Sequence, residues 1–194
     1  MKILVGITGA SGSVYAAALL RRLAADGHDL FAVSSHAGEA VLKHECGLSP
    51  TDFPQVRWFD TDDLFAPVAS GSFPLDAMVV VPCSMNTLGC LAHGISANLL
   101  QRAAAVTLKE NRRLILVPRE TPLTLVDVDN MRTLLLAKAQ ILPAMPAFYH
   151  APQTLDDLVA FMTGKILHSL GLSQHCFPEW NGVSRNERIR TSGT

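Results

Sequence analysis

Short apolar runs alternate along the chain with segments whose apolar residues recur every three to four positions. Lys2–Gly6 reads as a buried strand and Val14–Ala25 as an amphipathic helix with arginines at its far end. Asp29–Ser34 is again strand-like, and Ala37–Cys46 is helical. Leu75–Pro82 (LDAMVVVP) is apolar almost throughout, as a central parallel strand covered on both faces must be. Ser84–Lys109, rich in small residues, predicts a long helical stretch broken near Gly94. Arg113–Pro118 predicts a strand, Val126–Ala139 a helix, Gln140–Leu142 a short strand and Thr154–Leu170 a closing amphipathic helix. Strands alternating with helices require right-handed crossovers. The expected fold is therefore α/β: a single-domain, Rossmann-like (flavodoxin-like), mostly parallel sheet with helices on both faces. No repeat, low-complexity tract or linker interrupts the pattern. Residues 1–180 are expected to form one domain, and residues 181–194, the end of a polar tail starting at Ser173, a mobile terminus.

Composition narrows the function classes. Of the 194 residues, 48% are hydrophobic and 17% charged, which excludes a disordered chain and agrees with extensive subunit contacts. A net charge of −1 provides no field for nucleic acid or an anionic membrane, so any bound anion needs a local site. No apolar run approaches the roughly 18–20 residues of a membrane span. The N-terminus carries no signal pattern, so a cytoplasmic location is expected. Cys46, Cys83, Cys90 and Cys176 form neither a CxxC pair nor a metal-ligand spacing, and are expected to be buried thiols.

Four loop motifs can carry chemistry. Gly6–Gly12 (GITGASG) lies between the first strand and first helix, where small residues let the backbone turn tightly and a helix N-terminus presents N–H groups to an anion. The pattern is neither a P-loop nor a dinucleotide fingerprint, and its plainer reading is a tight turn without ligand. Pro82–Thr87 (PCSMNT) offers Ser84 as a helix N-cap or a ligand contact. Pro118–Leu123 (PRETPL) pairs a guanidinium fork with a proton-carrying carboxylate, or simply forms a surface ion pair. Pro143–His150 (PAMPAFYH) can wall an apolar pocket with Tyr149 as its polar handle, or serve as packing beneath a loop. Arg102, Lys109 and Lys165 lie on helices, where each is otherwise a solvated charge.

Six tracts together resemble the UbiX-type flavin prenyltransferase family, in that family's order and spacing. They are GITGASGS (6–13), SGSF (70–73), PCSMNT (82–87), RAAAVTLKE (102–110), LVPRETPL (116–123) and PAMPAFYHAPQTLDDLV (143–159). The resemblance spans the chain from Met1 to about Trp180. It implies a Rossmann-like flavoprotein that joins the dimethylallyl group of dimethylallyl monophosphate to reduced FMN. Bonds at N5 and C6 of the flavin close a fourth ring, and the prenylated FMN passes to a UbiD-type decarboxylase. It further implies no metal, and a homo-dodecamer with active sites at subunit interfaces.

Carried over by position, Gly9, Ala10 and Ser11 match the FMN-phosphate loop, while Ser35, Ser84, Met85, Asn86, Thr87 and Arg119 match further flavin contacts. Tyr149 and Lys165 match the prenyl-phosphate clamp, with Arg102 and Lys109 as additional cations. Glu45 and Glu120 match the carboxylates that handle protons, and Trp180 an aromatic near the substrate. In this reading Lys109, Arg102, Lys165 and the Tyr149 hydroxyl stabilise the departing phosphate, Glu120 acts as an acid toward it, and Glu45 relays a proton near N5. Met145–Phe148 and Trp180 would keep water from the allyl cation. Two positions depart from the family: Lys165 stands where many members have arginine, and Asn86 replaces a frequent lysine. The rival readings are a phosphopantothenoylcysteine-decarboxylase-like flavoprotein, a hydroxyarylic-acid decarboxylase acting alone, and a non-catalytic FMN carrier.

Overall fold

A computed structural model describes residues 1–178 together with Trp180 and Gly182. Apart from Gly182, the expected mobile terminus at 181–194 lies outside the described residues. Six strands form one sheet, β1 (Lys2–Ile7), β2 (Asp29–Ser34), β3 (Val56–Phe59), β4 (Ala77–Cys83), β5 (Arg113–Pro118) and β6 (Gln140–Ile141). All neighbours pair parallel, in the order β3-β2-β1-β4-β5-β6. This is the doubly wound order, in which ligands bind beyond the carboxyl ends of the strands where the connections diverge. Here that point lies between β1 and β4.

The helices are α1 (Ser13–Ala25), α2 (His36–Cys46), α3 (Met85–Ala92), α4 (Leu99–Lys109), α5 (Leu125–Leu136) and α6 (Leu155–Ser169). Side chains of a strand alternate between faces, so each central strand feeds two cores. Ile3, Val5, Ile7, Val79, Val81, Ile115 and Val117 pack against α1, α2 and α6 residues such as Leu19, Leu20, Leu42 and Ile166. Leu4, Met78, Val80, Leu114 and Leu116 pack on the other face against Leu88, Leu99, Leu100, Ala103 and Leu134 of α3, α4 and α5.

The helical stretch expected over Ser84–Lys109, broken near Gly94, is the pair α3 and α4. Gly94 adopts a left-handed φ of 70°, and Asn98 restarts the chain by accepting from the Gln101 N–H. The pattern did not predict β3, an edge strand of four residues with only Val56 buried. Such a strand lacks the continuous apolar run that marks its central neighbours. Of the cysteines, only Cys83 is buried, and all four are free. Among the described residues no helix is long and apolar enough to cross a membrane.

Close backbone approach positions α2 over the carboxyl rim. A Cβ added at Gly38 would lie 2.5 Å from the Ile7 carbonyl oxygen and 2.7 Å from Ser34 Oγ. Gly38→Ala should therefore push α2 off the end of β1 and cost about 1–3 kcal/mol, the usual range for overpacking, read as a lower denaturant midpoint.

Candidate active site

Three βα turns meet at the carboxyl rim around the β1/β4 switch point. The buried hydroxyl of Thr8 joins two of them, donating to the Pro82 carbonyl at 2.7 Å and accepting from the Ser84 N–H at 2.7 Å. The Thr8 N–H also donates to Pro82 O at 3.3 Å. Ser84 in turn caps α3, its side chain accepting from the Thr87 N–H at 3.3 Å. This leaves the first two N–H groups of α3, on Met85 and Asn86, which no helix carbonyl can reach. Thr87 is buried and takes a hydrogen bond from Ser84 Oγ, Met85 is half-buried and Asn86 exposed. Ser35 does the same for α2, accepting from the Gly38 N–H at 3.1 Å.

At α1 the expectation of an open helix N-terminus is corrected. The Gly12 and Ser13 N–H groups both donate to Glu45 Oε2, each at 2.9 Å, so a carboxylate from α2 fills the positive end of α1. Gly12 makes the turn possible through a φ of 111°. Burial acts to raise the Glu45 carboxyl. Hydrogen bonds from Ser11, Gly12 and Ser13 and the nearby Arg119 charge outweigh it, holding the group below the ordinary glutamate range. Among the described residues the backbone N–H groups of Gly9, Ala10 and Ser11 donate to no protein acceptor, although Ser11 bonds Glu45 through its side chain and Arg119 through its carbonyl. Gly9 must lack a side chain, since a Cβ there would lie 2.6 Å from the Ala37 Cβ.

Arg119, just past β5, reaches back to the rim and donates to the Ser11 carbonyl at 3.2 Å. Glu120 is exposed and accepts from the Thr121 N–H at 2.9 Å. The two side chains have separate partners, so the plain ion pair does not form. Cys83, beneath the rim, is fully buried, and burial pushes its thiol up to about 12, which removes it as a nucleophile.

A second group of expected residues gathers elsewhere. Tyr149 packs edge-on to Phe161 at 6.0 Å and to Trp180 at 5.5 Å. Tyr149 and Trp180, with Lys165, His168, Gln174 and Phe177, line a cavity of about 220 Å³ on the flank of α6. Gly164 permits this packing, since a Cβ there would lie 2.6 Å from the Phe177 ring. None of the rim residues lines the cavity.

The expected cations of α4 join neither group. Arg102 donates to the Ala69 carbonyl at 3.1 Å, and Lys109 pairs with Glu110 at 3.2 Å. Lys109 ends α4 just before β5 begins, at the opposite edge of the sheet from the rim. Met145 and Phe148, expected as chamber walls, are 65% and 69% exposed. A groove of about 980 Å³ also lies at that far edge, among Met1, Asp76, Arg112, Arg113 and Lys138. No expected site residue lines it.

Sequence reasoning missed Thr8, His168, Gln174 and Phe177. Thr8 stood inside a recognised motif but was read as part of the turn. His168 lies one helical turn after Lys165, a spacing that places both on one face. Gln174 and Phe177 fall in the segment read as a polar tail, where nothing in the local pattern signals packing against α6.

Residues 1–167 match the model of the Flavoprotein family. A flavin prenyltransferase UbiX from Alkalihalophilus pseudofirmus is 45% identical over 188 residues, covering 91% of this chain and 94% of that protein. The chain belongs to the UbiX flavin prenyltransferase family. Two solved structures of UbiX-type proteins share its architecture. The crystal structure of AnUbiX (PadA1) in complex with FMN and dimethylallyl pyrophosphate superposes with a TM-score of 0.92 at 38% identity, covering 94% of this chain and 98% of that one. A dodecameric FMN-dependent UbiX-like decarboxylase from Escherichia coli O157:H7 does so with a TM-score of 0.90 at 38% identity, covering 94% and 100%.

Two changes test the rim of this UbiX-family chain. Thr8→Val keeps the shape but leaves the Ser84 N–H without its acceptor, and should cost about 1–3 kcal/mol of stability in chemical denaturation, with Thr8→Ser recovering most of it. Glu45 has a folded-state value below its unfolded one. Its contribution is thus complete above the ordinary glutamate range and is lost as pH falls through the lowered value. Glu45→Gln should melt below the wild type near pH 7, and the gap should close by about pH 3.

Proposed function

We propose that the chain transfers a dimethylallyl group from a prenyl phosphate to reduced FMN held at its carboxyl rim. The observation that carries this reading is the presence of two built sites of different chemistry. One is an anion-accepting rim of backbone N–H groups; the other is an aromatic cavity with a lysine and a tyrosine. Family relatives are named for this activity, and AnUbiX binds FMN together with dimethylallyl pyrophosphate.

The rim fits a mononucleotide. Gly9, Ala10 and Ser11, the capped N-termini of α2 and α3 at Ser35 and Ser84–Thr87, and Arg119 all offer donors suited to phosphate. Reduced FMN would supply the nucleophilic atoms N5 and C6. Glu45, anchored on α1, would then accept or return a proton from a fixed oxygen, and exposed Glu120 would donate one to the leaving phosphate. In the cavity, Tyr149 and Lys165 would hold the prenyl phosphate and stabilise its growing charge, while Trp180 and Phe177 shield the allyl end from water.

Because no rim residue lines the cavity, the two halves of an active site come from different copies of the chain in this reading. The dodecameric relative supports such an assembly. Lys109, remote from the rim of its own chain, and Arg102, tied to the Ala69 carbonyl, would join a neighbour's site. The product would pass to a UbiD-type decarboxylase. Four free cysteines fit work in a reducing cytoplasm.

Anaerobic incubation of the purified protein with reduced FMN and dimethylallyl monophosphate should yield a flavin heavier by one C5 unit in mass spectrometry. Lys165→Ala should raise KM for the prenyl phosphate about tenfold or more with FMN affinity unchanged. Absence of the adduct with the wild type would refute the activity, and equal loss of both ligands would refute the clamp.

A further inference from the structure

Within the flank cavity the proposed clamp is short of charge. A phosphate monoester carries roughly −1.5 to −2 near neutral pH. Lys165 answers with a single point charge and lacks the two-pronged guanidinium that would grip two oxygens at once. Tyr149 contributes a hydroxyl. Among the described residues no acidic side chain lines the cavity, and the imidazole of His168 joins Lys165 and Tyr149 on its wall.

His168 and Lys165 are both exposed on α6 and stand three residues apart, so they are neighbours on one face of the helix. Across from them, Gln174 is held in one orientation. Its Oε1 accepts from the N–H groups of Cys176 at 3.0 Å and Phe177 at 3.4 Å, so the Nε2 group remains as its donor to the cavity. The cavity thus combines four polar side chains with the rings of Phe177 and Trp180. An allylic phosphate requires both kinds of contact.

We propose that His168 binds the phosphate of the prenyl substrate, and that Lys165 and His168 together replace one arginine. The imidazole donates an N–H to one phosphate oxygen while the Lys165 ammonium takes another, and Gln174 Nε2 supplies a neutral third donor. The inference rests on the proposed prenyl-transfer reading for the identity of its ligand, but its anion chemistry is independent of turnover.

Calorimetric binding of dimethylallyl monophosphate to the intact oligomer loaded with oxidised FMN measures the site without reaction. His168→Asn should weaken binding about tenfold and raise KM in the adduct assay by a similar factor, with FMN affinity and melting temperature unchanged. His168→Arg should restore binding, because its guanidinium presents N–H donors from the same face of α6. Unchanged binding in His168→Asn, failure of His168→Arg to recover it, or parallel loss of FMN would each overturn the proposal. His168-dependent binding without adduct in the wild type would sink the transferase activity and leave the anion site standing. Adduct formation unaffected by His168→Asn would do the reverse.

Discussion

A doubly wound sheet opens a crevice where its connections leave in opposite directions, and no strand ladder spans that opening. In this chain the hydroxyl of Thr8 spans it, linking the turn after β1 to the turn after β4 through Pro82 O and the Ser84 N–H. Ser84 then caps α3, so one buried hydroxyl fixes the height of two helix N-termini relative to each other. The rim is consequently set before any ligand arrives, and binding need not supply the free energy to order it. Glu45 adds to this by neutralising the end of α1 internally. In the proposed reading an incoming phosphate would meet the Gly9–Ser11 backbone and the ends of α2 and α3, since the end of the helix that directly follows the loop is already filled.

The dimensions of the fold explain why one chain cannot complete the proposed reaction. A six-residue strand spans about 20 Å, and the eleven residues of α4 about 16 Å. Lys109, at the far end of α4, therefore sits a full strand length from the rim. The surface carries large apolar side chains in the open, including Phe65 at 100%, Leu155 at 80% and Leu125 at 75% exposure. In the proposed assembly a neighbouring copy would cover such side chains. The same burial that holds the proposed assembly together would bring cations from one copy toward the flavin of the next.

Much of this was legible in the sequence because it depends on local rules. Continuous apolar runs gave the central strands, and Ser84 preceding a small-residue helix gave a cap. Glu45 and the clamp role of Lys165 were legible only through the resemblance, whereas Arg119 and Tyr149 already stood out in their loop motifs. The pattern failed where tertiary context decides. Edge strand β3 buries one residue and so leaves no run to read. The α1 terminus looked available because its partner Glu45 comes from another helix, more than thirty residues on. Phe177 and Gln174 looked like tail because their packing depends on the missing side chain of Gly164.

A site divided between subunits suits chemistry that must release an allyl cation away from water. A lid on a single chain would need a mobile segment with its own ordering cost, whereas a subunit interface excludes water by packing that persists through turnover. It also separates the two recognition problems. The rim can be optimised for a mononucleotide through backbone donors that no substitution removes, while the flank cavity varies through its side chains. The exchange of an arginine for Lys165 falls on that variable half, and in the proposed clamp the ring of His168 one turn away adds the N–H donor that the lysine lacks. The half made of backbone has no comparable freedom, since Gly9, Gly12 and Gly38 each stand where a side chain would either clash or force an unfavourable backbone angle.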